Sequence, residues 1–163
     1  MNYNEYQAKN KIAEIFLQAE REWEKGLTIP RKIIEKSQDI LTYVFPSLAK
    51  YFDFSAGDYN IRPSTAIKAH EHINSTLVAS EHEIIKDIVI PLHNKRTVFF
   101  ILEMLKNSHP KLQNLSWEQI KNHNLLISKL YSGYMGAGGS WKKWKKSLYP
   151  GKIAQLRLNT LLF

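Results

Sequence analysis

The chain has 163 residues, no cysteine and a hydrophobic share of 44%. That length and apolar content suit one domain with its own core, and they exclude a disordered chain, a disulfide scaffold and a cysteine-ligated zinc site. Twenty-three Lys and Arg stand against fifteen Asp and Glu, a formal charge of +8, which raises the prospect of a polyanionic partner.

The first helix is predicted over residues 4–25. Ile12, Phe16, Ala19 and Trp23 recur at helical spacing, and Lys25 and Gly26 close the helix. Thr28 as N-cap and Pro30 in the first turn open a second helix. Its buried side is predicted to be Ile33, Ile34, Ile40, Leu41, Val44 and Phe45. Pro46 breaks it, and Ser47 restarts a short turn to Tyr51. Residues 53–63 read as a loop, from Gly57, Asp58, Asn60 and Pro63. Ser64 or Thr65 is predicted to cap a third helix with Ile67, His70 or Ile73, and Leu77 on one side.

Ser80 with Glu83 matches a capping box, and Pro91 is predicted to close the segment that follows. Asn94 or Thr97 starts an almost wholly apolar segment, helical by preference, with a strand as the alternative for residues 97–102. Ser116 with Gln119 is a second capping box, opening a helix to about Tyr131. Four glycines, Gly133, Gly136, Gly138 and Gly139, then precede a short helix from Ser140 to before Pro150, and an apolar stretch follows. The expected fold is a single all-α domain over residues 1–163, of about six helices, with room for one short strand pair. Its last third, from about residue 105, is basic and rich in glycine and aromatics.

The charge is lopsided. Residues 1–80 hold ten groups of each sign, whereas from Leu105 onward there are ten cations and one acid, Glu118. Trp141 and Trp144 share a helical face, with Lys142, Lys143, Lys145 and Lys146 around it and Lys152 and Arg157 beyond. Lysines reach phosphates and aromatic rings stack on unpaired bases, so this pattern points to RNA or single-stranded DNA. Lys95, Arg96 and Arg62 would extend the same basic surface from two loops. The plainer reading docks the tryptophans on the core and leaves the lysines solvated.

GAGGSWK lacks P-loop spacing, so nucleotide hydrolysis is not expected. His70, Glu71, His72, Glu81, His82, Glu83 and Asp87 are metal-ligand types, but His70 and His72 lie about 200° apart on a helix and no H-E-x-x-H occurs. No metal or other cofactor is therefore expected. Leu156, Leu158, Leu161, Leu162 and Phe163 form a sticky apolar stretch suited to a protein partner. No basic–apolar leader opens the chain, and the longest strongly apolar run, residues 98–102, cannot cross a bilayer, so a cytoplasmic protein is expected. The leading expectation is a nucleic-acid-binding subunit. The alternatives are an adaptor or inhibitor module of a larger assembly, and a small metal-dependent nuclease using His70, His72, Glu81 or Asp87.

Overall fold

The computed structural model describes residues 2–74 and 79–136. Eight helices occur among these residues: α1 Tyr3–Lys25, α2 Ile29–Val44, α3 Pro46–Phe52, α4 Pro63–Ile73, α5 Glu81–Asp87, α6 Pro91–Ser108, α7 Trp117–Lys121 and α8 Asn124–Gly136. The all-α expectation stands, while the expected count of about six is too low. Pro46 splits α2 from α3, and a turn at Asn122 and His123 splits the helix predicted after Ser116 into α7 and α8. No strand pair forms among the described residues. Residues 97–102 are helical, and the single bridge among the described residues, Ala56 with Ile61, closes a tight turn.

Among the described residues, proline begins helices more often than it ends them. Pro30, Pro46, Pro63 and Pro91 each occupy a first-turn position, where the missing N–H has no intrahelical acceptor to lose. Pro91 therefore opens α6 instead of closing the segment before it. Both predicted capping boxes form: Ser80 with Glu83 starts α5, and Ser116 with Gln119 starts α7. Asp53, in the left-handed region at φ 48°, ends α3. Its carboxylate also accepts the backbone N–H of Ser64 at 2.8 Å and the Ser64 hydroxyl at 2.7 Å, tying α3 to the start of α4.

The core lies where α4 runs along α6 and where α1 meets α6, α7 and α8. Ile12, Phe16, Ile101, Leu102, Leu105, Ile120 and Leu130 are fully buried there. Phe16 packs against the rings of Tyr131 and Tyr134, at centroid separations of 4.8 and 5.2 Å, and those two rings stack on each other at 6.2 Å. The Tyr131 hydroxyl donates to buried Glu20, and the Tyr134 hydroxyl donates to the Tyr59 carbonyl, so the far end of α8 is fixed against α1 and the 53–62 loop. Near the start of α1, buried Lys9 pairs with Glu103 of α6, its ammonium lying over the rings of Phe99 (5.5 Å) and Trp117 (5.2 Å). Glu103 also accepts the indole N–H of Trp117 at 3.1 Å.

Candidate interaction surface

α2 is folded onto the body with its polar side inward. At about 100° per residue, Ile29, Ile33, Ile34, Ile40, Leu41 and Val44 share one broad face, while Glu35, Asp39 and Thr42 share the opposite one. Thr42 is the buried residue of this helix, and its hydroxyl donates to the Gln38 carbonyl at 2.7 Å. Asp39 accepts the Gly57 backbone N–H at 2.7 Å, which holds the polar face against the 53–62 loop. The apolar face consequently points outward: Ile33 is 61% exposed and Ile40 62%. This corrects the expectation that Ile33, Ile34, Ile40, Leu41, Val44 and Phe45 form the buried side.

α3 continues the surface with exposed Leu48, Tyr51 and Phe52, while its Pro46 and Ala49 are buried. Of the sixteen large apolar side chains exposed among the described residues, eleven lie between Ile29 and Phe52. The largest apolar patch on an ordinary monomer is about 300–600 Å² and is often functional. Nine of these eleven side chains are more than half exposed.

A cleft of about 510 Å³ lies beneath α2, between it, the second half of α1 and the 55–60 loop. Its walls carry Glu20, Glu24, Glu35, Asp39 and Asp58, interleaved with Arg21, Lys25, Lys32 and Lys36. Partial burial, reinforced by Glu35, Asp58, Glu20 and Asp39, raises the pKa of Glu24 above the usual carboxylate range. Burial also raises that of Asp39, against the pull of the Gly57 N–H and Lys36. The two signs nearly balance along this cleft, so it offers no clear field to a polyanion or a polycation. The apolar surface outside α2 is the more specific feature.

The basic residues singled out from the sequence do not converge within the described structure. Adjacent on α6, Lys95 and Arg96 point to different helices. Lys95 faces Glu14 of α1 at 4.0 Å, and Arg96 faces Asp87 of α5 at 3.5 Å. Asp87 also bonds His93 at 2.7 Å. Arg62 is exposed at the N-cap of α4. Trp141, Lys142, Lys143, Trp144, Lys145, Lys146, Lys152 and Arg157, with the apolar stretch Leu156 to Phe163, lie outside the described residues.

The histidines are dispersed as well. His70 is buried, with Nε2 3.4 Å from the Thr97 hydroxyl and its ring edge-on to Phe100 at 4.8 Å. Burial, helped by the nearby Arg96 charge, lowers its pKa below the ordinary histidine value, with Asp87 opposing. His72 meets Asn107 at 3.3 Å, His82 meets Ser47 at 2.8 Å, and Glu81 pairs with Lys50. Among the described residues no three histidine or carboxylate groups come together as a metal site. No helix among them is long and apolar enough to cross a membrane.

Sequence reasoning found the members of the α2 stripe but missed its direction, and it missed Leu48, Tyr51 and Phe52 as part of the same surface. No local signal gave that direction, because the contact that sets it joins Asp39 to a backbone N–H eighteen residues away. No known protein family matches the chain, and no curated protein or solved structure matches it.

Proposed function

We propose that the protein is an interaction module that binds another protein surface through the outward face of α2 and α3. The carrying observation is the exposure of the Ile33, Ile34, Ile40, Leu41 and Val44 side of α2 while its Thr42 side is buried. Apolar side chains left in water forgo roughly 1.5–3 kcal/mol each relative to full burial. A helix that turns this many of them outward is suited to a second surface that covers them. The full-length chain carrying Ile33→Glu and Ile40→Glu tests the reading. The double variant should keep its helical circular dichroism, bind much less of an apolar fluorescent dye and lose the protein association that the parent shows. Equal dye binding and equal association by parent and variant would remove the reading.

Nucleic-acid binding is the second reading, favoured by one observation of sequence: residues 137–163 hold six cations and no acid. Lys142, Lys143, Lys145, Lys146, Lys152 and Arg157 would contact phosphates, with Trp141 and Trp144 stacking on bases. Labelled RNA and single-stranded DNA should then bind with an affinity that falls steeply with salt, log K dropping by about 0.7 per phosphate contact for each log unit of salt on single strands. Absence of binding at low salt, or replacement of the four clustered lysines by alanine without effect, removes it.

A further inference from the structure

We propose that α2 pairs antiparallel with α2 of a second copy of this chain, about a two-fold axis that passes through Ser37. The proposal rests on the interaction-module reading and names its partner.

The apolar positions of the outward stripe are palindromic about Ser37; Tyr43, whose ring lies under the Lys86 ammonium, stands off that stripe. Ile34 and Ile40 stand three residues to either side of it, and Ile33 and Leu41 four. Pro30 and Val44 stand seven away, and Ile29 and the C-cap residue Phe45 eight. In an antiparallel pair centred on residue 37, each of these meets the other member of its couple on the second copy. All four couples are apolar, and the central residue is small. A two-fold interface demands this self-complementarity, since the same patch must serve both partners. A groove on an unrelated protein imposes no such symmetry on the helix it receives.

Ser37 also suits the crossing point physically. A small side chain there lets two helix axes approach to about 8 Å, the near end of the usual range. It is exposed, and its hydroxyl already donates to the Ile33 carbonyl at 2.8 Å, so covering it strands no donor. The paired segment, residues 29–45, spans about 24 Å. That contact alone is modest beside the roughly 800 Å² per partner of a standard interface. Exposed Leu48, Tyr51 and Phe52 of α3 follow directly at each end and enlarge it.

Charge placement gives the pairing a recognisable salt response. Glu35 and Asp39 lie on the inward side of α2, and Asp39 is engaged with Gly57. Lys36 lines the cleft beneath α2 beside Asp39, so it stands away from the seam. The contact is then apolar, and kosmotropic salts such as sulfate strengthen apolar burial. Added sulfate therefore tightens the dimer, the opposite sign to phosphate binding.

The chain contains no cysteine, so single cysteines report geometry without interference. In the full-length protein, sedimentation equilibrium over low to high micromolar concentration is expected to show a monomer–dimer equilibrium that strengthens with added sulfate. Ile34→Glu sets a carboxylate against the partner's Ile40 position and should weaken dimerisation by at least about a hundredfold. With oxidised glutathione as the two-electron acceptor, Ser37→Cys should cross-link to its own copy. Ile29→Cys, whose two copies would lie about 24 Å apart, should not. A monomer throughout, a dimer indifferent to Ile34→Glu, or cross-linking at residue 29 in place of 37 overturns the pairing. The interaction-module reading is judged separately, by the dye binding of Ile33→Glu with Ile40→Glu, which needs no second copy.

Discussion

Asp39 of α2 accepts the backbone N–H of Gly57 at 2.7 Å, and this contact joins the helix's polar side to the loop that follows α3. With Thr42 buried a turn later on the same side, it leaves the isoleucines facing out. Asp39→Ala removes the acceptor and strands a partly buried N–H, at a cost of about 1–3 kcal/mol. Asp39→Asn keeps an acceptor oxygen and removes a charge whose burial is unfavourable, so it should cost clearly less. Urea unfolding of the two variants checks the order, and an Asn variant weaker than the Ala variant contradicts it.

Gly57 is constrained independently of its bond to Asp39. Its φ is +73°, and a Cβ built on it would stand 2.1 Å from the backbone oxygen of Ile88, just after α5. The left-handed backbone alone costs a residue with a side chain on the order of 1–3 kcal/mol. Because the obstacle is main chain, it cannot swing aside as a side chain end would. Gly57→Ala is expected to be the most destabilising alanine substitution in the 53–62 loop. A melting temperature within a degree or two of the parent's would contradict the described packing.

Much of the helical framework was legible because its signals are local. The Ser80–Glu83 and Ser116–Gln119 capping boxes each span three residues and form as read. The α2 stripe was legible as a set of residues, because periodicity shows which side chains share a side. Periodicity cannot say whether that side meets its own chain or another, and for α2 the answer depends on the distant Asp39–Gly57 contact. Pro91 was misread because proline is compatible both with the end of one segment and with the first turn of the next. Lys95 and Arg96 read as surface charge, but their partners Glu14 and Asp87 come from other helices. The Lys9–Glu103 pair, ninety-four residues apart, leaves no trace in the local pattern of either helix.

That pair carries its own expectation. The Lys9 side chain is only 3% exposed, and Glu103, at 25%, serves both its ammonium and the Trp117 indole. Removing one member of a buried ion pair typically costs about 3–5 kcal/mol because the other charge is left uncompensated. Lys9→Met should fall near the lower end, since Glu103 retains some water. Adding Glu103→Gln neutralises the orphaned charge while preserving an acceptor for Trp117, so the double variant should be more stable than Lys9→Met alone. A double-mutant cycle by chemical denaturation measures this coupling, and strictly additive losses would show that the two groups do not interact.

His70 predicts how stability responds to acid. Its imidazole is buried between Thr97 and Phe100, and burial, with Arg96 adding to it, lowers its folded pKa, while Asp87 opposes. The unfolded chain regains the ordinary histidine value of about 6.5, so below that pH it takes up the proton first. Stability from the neutral imidazole is complete above pH 6.5 and is lost as the pH falls from there towards the folded pKa. His70→Gln places no titrating group at this position. The stability difference between parent and His70→Gln, followed from pH 7.5 to 5, removes contributions common to both chains. It should shrink as the medium is acidified, because only the parent suffers this loss. A difference that stays constant over the range would mean that His70 is protonated as readily in the folded chain as in the unfolded one.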